Sequence, residues 1–193
     1  MLTLAVGCTS GIRARASAEP GPRGTLVRVY EAVARGDEAE YRRLVELPSG
    51  DAYSDALTTT MFESIRLYQA VERTSSSRPF LAAVDYRENA RAMLKAVEGW
   101  AFTVKGDHAT IDHLAGRAGA PTFRRAGDRW MLVPPPWDTP ADTATYRQMV
   151  ESERRLARAL STARAAVVDG TAKSVEDVNA ILRKLLAEPA TRP

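Results

Sequence analysis

The 193-residue sequence has little cysteine and histidine and no long apolar run. Its single cysteine, Cys8, cannot form an intramolecular disulfide, so a disulfide-stabilised scaffold is excluded. The two histidines, His108 and His113, are too few for the usual Cys/His zinc sites, and we predict no metal and no cofactor. No stretch approaches the roughly 18 consecutive apolar residues of a membrane-spanning helix, which excludes a polytopic membrane protein.

The residues that are present indicate a folded domain with an even charge balance. Hydrophobic residues make up 45% of the chain and charged residues 26%, which is enough apolar material for a core. The 27 basic and 24 acidic residues give a net charge of +3, and the excess lies at the two ends of the chain. Because the middle is nearly neutral, we predict no nucleic-acid partner.

The first eight residues form a short apolar run that ends in Gly7 and Cys8. A stretch rich in Ser, Gly, Ala, Pro and Arg follows, with the composition of a flexible tether. The run resembles the end of a bacterial lipoprotein signal peptide, in which the cysteine after a small residue is lipidated. The resemblance implies a signal and tether segment over residues 1–22, a lipid anchor at Cys8 and attachment to the bacterial cell envelope.

Two other interpretations of this end of the chain remain open. Ala16-Ser17-Ala18 is typical of the A-x-A site at which signal peptides are cleaved, which predicts a secreted protein beginning at Glu19. The second alternative is an ordinary N-terminus of a cytoplasmic protein with an unmodified thiol at Cys8.

Apolar residues at helical spacing predict a group of helices in the first half of the chain. The first helix begins near Gly24 and ends at Gly36, since glycine readily takes the left-handed conformation that terminates a helix. Asp37 is suited to cap a short second helix. A third pattern runs over residues 55–74, and Phe80–Val97 is expected to be helical in part.

From Trp100 the apolar residues alternate with polar ones, which predicts strands. Two hairpins are expected, with turns at Gly106-Asp107 and Gly127-Asp128. The alternation runs on to His113, so His108 and His113 are expected on opposite faces of one strand. We predict an α+β fold in which N-terminal helices pack on a curved antiparallel sheet.

A C-terminal helical hairpin is predicted after the sheet. Three consecutive prolines end the strands, and Pro140 has the position of a first helical residue. The long helix stops at Asp169-Gly170, and Ser174 caps a last helix. The predicted domains are an α+β domain over residues 23–140 and the hairpin over residues 141–193. On the long helix, spacing predicts Arg147–Glu151 and Glu151–Arg155 ion pairs.

Helices followed by a meander of hairpins, with a Gly-Asp step at residues 36–37 and Gly-Asp-Arg-Trp at residues 127–130, resemble the NTF2-like superfamily of cone-shaped domains. The resemblance covers about residues 24–134. It implies a cone closed by sheet and helices around a pocket. Enzymatic relatives use such a pocket for isomerase or dehydratase chemistry, and non-enzymatic relatives use it for binding or dimer contacts. The fold alone does not choose between these roles.

Five residues are candidates for lining such a pocket: Tyr68, Trp100, Phe102, His113 and Phe123. His113 is the one candidate for a general base. It lacks a partner carboxylate, because Asp107 falls in a turn and Asp112 faces away from the apolar side. The sequence also lacks a serine nucleophile elbow, a glycine-rich phosphate loop and a CxxC motif, so we otherwise predict no catalytic residue.

Three hypotheses of function follow from the sequence. The first is a non-catalytic domain that is anchored to the envelope membrane through Cys8 and binds a protein partner or a small apolar ligand. A homodimer is compatible with this hypothesis. The second is a small-molecule isomerase or lyase that uses His113, with Tyr68 as a further candidate. The third is a soluble interaction module in the cytoplasm.

Overall fold

The computed structural model describes residues 20–48, 51–74, 86–135 and 143–187. The chain divides into two compact units. Unit 1 is Met1–Glu46 with Ala90–Pro136, and unit 2 is Leu47–Asn89 with Trp137–Pro193. Helices, one antiparallel sheet and a C-terminal pair of helices confirm the predicted α+β class. The lipoprotein-like segment with Cys8 lies outside the described residues.

The described helices and strands are α1 (Pro22–Arg35), α2 (Glu38–Leu44), α3 (Ala52–Thr74), α4 (Tyr86–Val97), β1 (Phe102–Lys105), β2 (His108–Ile111), β3 (Thr122–Ala126), β4 (Arg129–Val133), α5 (Thr143–Val168) and α6 (Val175–Ala187). A 3-10 turn, Asp112–Leu114, follows β2.

The local signals between α1 and α2 act as predicted. Gly36 has a φ of 75°, and its N–H and that of Asp37 donate to the last carbonyls of α1, so α1 ends there. The Asp37 side chain accepts a hydrogen bond from the Glu40 backbone N–H at 3.0 Å and caps α2. Val45 is extended after α2 and forms a parallel bridge with Leu132 of β4.

The four strands of unit 1 form an open antiparallel meander in the order β1-β2-β3-β4. Phe102 pairs with Ile111 and Ala109 with Phe123, so these side chains share one face of the sheet. This face and α1 bury a common core. The core consists of Leu26, Val27, Val97, Ala109, Ile111 and Phe123.

The predicted position of His113 at the end of a strand is wrong. The Asp112 N–H donates to the Ala101 carbonyl, which is the last rung of the first hairpin. The chain then turns, because the Ala115 N–H donates to the Asp112 carbonyl and closes the 3-10 turn. His113 is therefore in that turn, whereas His108 begins β2.

Two predicted helix starts are tested only in part. Helix α4 begins at Tyr86, and residues 80–85 of the predicted Phe80–Val97 pattern lie outside the described residues. The structure describes α5 from Thr143, so the predicted start at Pro140 also lies outside the described residues.

In unit 2, helices α3 and α5 contact each other and run in the same direction, because successive contacts join residues with a constant separation of 93 positions. The Tyr53 N–H donates to the Tyr146 hydroxyl at 3.2 Å, and the Thr60 hydroxyl donates to the Glu153 carbonyl at 3.0 Å. Helix α6 packs back on α5, and Ser174 caps it as predicted. The shared core of the three helices includes Leu67, Val71, Leu160, Ala163, Val178 and Leu182.

The ion pairs predicted on α5 are wrong. Glu151 pairs with Arg154 at 3.2 Å, and the Arg155 guanidinium donates to the carbonyls of Leu185 and Leu186 at the end of α6. Free carbonyls at a helix C-terminus attract a cation, which explains why Arg155 leaves its neighbour on α5.

The limits of the two units differ from the predicted domain limits, since α3 belongs to the same unit as α5 and α6. The units are groups of contacting residues and do not test domain limits, so the division at residue 140 into an α+β domain and a hairpin remains a prediction. None of the described helices is both long and apolar enough to cross a membrane.

Candidate functional site

Four of the five residues predicted to line a pocket lie in unit 1, where they form two aromatic pairs. Phe123 is fully buried and meets Phe102 edge to face, with 5.8 Å between ring centroids. Trp100 meets His113 in the same geometry at 4.9 Å. Phe102, Phe123 and Trp100 take part in the hydrophobic core or pack against it.

The fifth residue, Tyr68, belongs to unit 2. It is 6% exposed, and the guanidinium of Arg87 lies 5.8 Å from its ring centroid. Arg87 is buried and makes a bidentate ion pair with Glu72, at 2.7 and 2.9 Å. These contacts are typical of a residue that packs a helical core.

His113 lacks the surroundings of a general base. Its side chain is exposed and forms no hydrogen bond with any carboxylate of the described residues. Neither of the two cavities described below includes Trp100 or His113 in its lining. A base that acts in catalysis needs an orienting partner, and no carboxylate of the described chain provides one for this histidine.

Unit 1 has a cleft of about 240 Å³ between α1, α2 and the hairpin of β3 and β4, which we call the arginine cleft. Each of these elements contributes one arginine, namely Arg28, Arg43 and Arg129. The remaining lining residues are Pro20, Gly21, Gly24, Thr25, Leu44, Asp128 and Trp130.

A buried carboxylate holds two of the three arginines. Glu40 is 8% exposed, and its Oε1 accepts a hydrogen bond from Arg28 Nη2 at 2.6 Å. Its Oε2 accepts from Arg43 Nη2. The cap that Asp37 makes to the Glu40 N–H fixes the start of α2 and so the place of this carboxylate. Arg28 and Arg43 each retain further N–H donors, because a guanidinium has five.

The third arginine is unpaired. The Arg129 side chain forms no hydrogen bond or ion pair with any residue in the described ranges, and Asp128 precedes it in the turn. Three guanidinium groups against the carboxylates of Glu40 and Asp128 leave the cleft with one net positive charge. An anion that enters the cleft therefore gains donors without displacing an ion pair.

Helix α1 presents its first turn to the same cleft. Pro22 is the first helical residue, Gly21 is the N-cap, and none of the described side chains caps this end. The Thr25 hydroxyl donates to the Trp130 carbonyl at 3.2 Å, which ties α1 to β4 beside the cleft. The partial positive charge of a helix N-terminus adds to that of the arginines.

A second cavity, of about 390 Å³, lies over β1 and β2. Thr103, Lys105, His108, Thr110 and Asp112 contribute polar side chains to it, with Ala109 and Ala115. The charges of this cavity are mixed. In the described ranges, no group of three or more His, Cys, Asp and Glu residues is placed to hold a metal ion.

Arg124 of β3, the register partner of His108 in this cavity, is engaged in an ion pair. Arg124 forms a bidentate pair with Glu46, at 2.6 and 2.8 Å. This hydrogen bonding lowers the pKa of the Glu46 carboxyl below its usual value, against an opposing effect of burial. Arg124 is therefore less available to a ligand than Arg129.

No protein-family model matches the chain, and no curated protein or solved structure is significantly similar to it. Function must therefore be argued from the geometry of the described residues. Sequence reasoning missed the arginine cleft, because its arginines belong to no motif and lie 15 and 86 positions apart. The one local signal near it was the Asp37 cap, which predicts α2 but not the orientation of Glu40.

Proposed function

We propose that the protein is a non-catalytic binding domain, anchored to the bacterial cell envelope through Cys8, that binds an anionic group in the arginine cleft. The observation that carries the proposal is the convergence of Arg28, Arg43 and Arg129 on one cleft, with Arg129 unpaired. Guanidinium groups are the side chains best suited to carboxylate and phosphate, since they stay charged and donate in pairs.

The chemistry of the cleft supports binding rather than catalysis. Arginine does not exchange protons at ordinary pH, and Glu40 is occupied by two cations. Asp128 is the one lining carboxylate outside those pairs, and a single acid gives no acid–base pair. The hypothesis of an isomerase or lyase that uses His113 remains a prediction without a supporting contact.

Other parts of the first hypothesis also remain predictions. They are the NTF2-like resemblance, the lipid anchor, a protein partner, a small apolar ligand and a homodimer. The cleft favours an anionic ligand over an apolar one, because half of what lines it is charged or otherwise polar. The anion is carried either by a small molecule or by a side chain of a partner protein.

Binding to the full chain tests the proposal directly. We expect sodium sulfate, titrated at constant ionic strength against sodium chloride, to shift the amide NMR signals of Gly24 and Thr25 in a saturable way. Arg129→Gln should weaken binding about 5- to 10-fold, which corresponds to roughly 1–1.4 kcal/mol, the net value of one hydrogen bond to a solvent-accessible group.

Arg117→Gln is the matched control for this titration. Arg117 is exposed in the loop before β3, and its side chain contacts none of the described charged groups. The variant removes the same charge from the same unit, so it should leave sulfate binding within twofold of the wild type. Equal weakening by both variants, or shifts without saturation, would contradict a site at the cleft.

A further inference from the structure

We infer that the anion taken by the arginine cleft is a phosphate monoester with a small apolar group, an inference that rests on the proposed function. The cleft combines donors from three elements with an apolar wall. Neither feature is explained by an anion of arbitrary shape.

The number of donors favours an anion with three equivalent acceptors. Arg28 comes from α1, Arg43 from α2 and Arg129 from β4, so three elements each contribute one arginine to the cleft. A carboxylate has only two oxygens to share among the three guanidinium groups. A phosphate monoester has three terminal oxygens, one for each guanidinium, and each is a strong acceptor.

Glu40 orients this set of donors and is a positioning residue. It holds Arg28 and Arg43 by their Nη2 atoms, which leaves the other N–H groups of each guanidinium for a ligand. Because Glu40 is 8% exposed and its backbone N–H is bonded to Asp37, the orientation exists before a ligand arrives. Donors fixed in advance cost little entropy on binding.

The apolar part of the cleft lining favours a ligand with an apolar group beside the phosphate. Leu44, Trp130 and Pro20 provide this part of the wall. The volume of about 240 Å³ is below the roughly 300–1,000 Å³ of clefts that take drug-sized ligands, so the group must be small. Trp130 is the aromatic residue of this wall, and aromatic rings pack favourably with a flat apolar group.

Three probes of graded chemistry test the inference on the full chain: phenyl phosphate, inorganic phosphate and benzoate. We expect phenyl phosphate to bind at least fivefold more tightly than inorganic phosphate, because the ring covers Trp130. Benzoate should bind at least fivefold more weakly than phenyl phosphate, because it offers two oxygens to three guanidinium groups. Amide shifts of Gly24 and Thr25 report on the cleft.

Charge-preserving variants show whether binding needs the paired N–H donors of arginine or only its positive charge. Arg129→Lys keeps the charge but not the paired donors, so it should weaken phenyl phosphate at least threefold. It should affect benzoate less, since two guanidinium groups remain for it. Arg117→Lys changes an exposed arginine outside the cleft and should alter neither ligand by more than a small factor.

The outcomes distinguish this inference from the proposed function. Benzoate binding as tightly as phenyl phosphate overturns the phosphate assignment while an anion site stands. Inorganic phosphate binding as tightly as phenyl phosphate overturns the apolar group. If none of the three probes shifts Gly24 or Thr25 in a saturable manner that Arg129→Gln weakens, the proposed function itself fails.

Discussion

At the scale of single residues, Glu40 determines how two like charges stay close together. Its side chain is 10% exposed, whereas those of Arg28 and Arg43 are 45% and 67% exposed. Glu40→Gln removes the shared anion and leaves two guanidinium groups to repel each other. Because the partners are largely solvated, we expect a loss of about 1–2 kcal/mol in unfolding free energy, less than for a fully buried pair.

Urea unfolding at pH 7 measures this loss, with Glu31→Gln as the control. Glu31 pairs with Arg35 on the same unit at 3.6 Å, with Arg35 58% exposed. Loss of such an exposed pair should cost below about 0.5 kcal/mol. Equal losses in the two variants would show that Glu40 has no more than a surface role.

The residues that sequence reasoning interpreted correctly are those whose role is local. Gly36 and Asp37 act on backbone groups within five positions of themselves, so their pattern is readable in the sequence. Glu40 acts on Arg28, twelve positions away across a turn, and its role depends on the angle between two helices. No spacing rule contains that angle.

At the scale of elements, the first hairpin depends on the conformation of its turn. Gly106 has a φ of 59° between β1 and β2, in a region that residues with a Cβ rarely adopt. A Cβ at Gly106 meets nothing within 4 Å, so the cost of Gly106→Ala is conformational and not steric. We expect it to lower the unfolding free energy by about 1 kcal/mol.

Gly99→Ala is the matched control, measured in the same thermal or urea unfolding experiment. Gly99 precedes β1 without a positive φ, and a Cβ there meets only the Ala96 carbonyl at 3.7 Å, an ordinary contact. The substitution should leave stability unchanged or slightly raised. If Gly99→Ala costs as much as Gly106→Ala, backbone strain at the turn is not the cause.

A carboxylate at the start of α3 links that helix to α5. Asp51 accepts hydrogen bonds from the Tyr146 hydroxyl at 2.7 Å, from the Ser54 hydroxyl and from the Tyr53 N–H at 3.1 Å. Burial opposes ionisation of this carboxyl, but the hydrogen bonds from Ser54, Tyr146 and the backbone outweigh it. The pKa of Asp51 is therefore lower than its ordinary value of 3.8.

This lowered pKa predicts a specific pH dependence. Stabilisation by the Asp51 carboxylate is complete above the ordinary pKa of 3.8 and is lost as the pH falls through the lowered folded value. Between pH 5 and pH 2.5, stability measured by urea unfolding should therefore decrease less in Asp51→Asn than in the wild type.

Glu176→Gln removes one exposed carboxyl of α6 that is not hydrogen-bonded to any described residue, and it serves as the control. It should retain the wild-type pH profile. A profile for Asp51→Asn that is parallel to the wild type would mean that the hydrogen bonds of Asp51 do not depend on its charge.

Elements were predictable from the sequence where their signals are periodic. The alternation after Trp100 and the two Gly-Asp turns predict both hairpins within about two residues of the observed strands. The alternation also predicts that His113 continues the strand, but the hydrogen bonding ends at Asp112 and the chain turns. The pairing of α3 with α5 was not predictable, because its contacts join residues 93 positions apart.

At the scale of the whole molecule, the two units differ in the kind of interaction that each contains. Unit 1 carries the sheet and the arginine cleft, and unit 2 buries a core of aliphatic and alanine side chains between long helices. The chain passes from unit 1 to unit 2 after Glu46, returns at Ala90 within α4, and leaves again after Pro136.

The last prediction concerns where unit 1 is held. Cys8 precedes Pro20, a residue of the cleft, by twelve positions, a chain length of at most about 40 Å. If Cys8 is acylated as proposed, the cleft lies within that distance of the membrane. Mass spectrometry of the protein purified from a bacterial host should then find an acylated Cys8 as the first residue.

The expected modification has more than one acyl chain, because a single chain anchors only marginally. Detergent partitioning of Cys8→Ser should move the protein to the aqueous phase, whereas a chain that begins at Glu19 or retains Met1 without acyl groups would contradict the anchor.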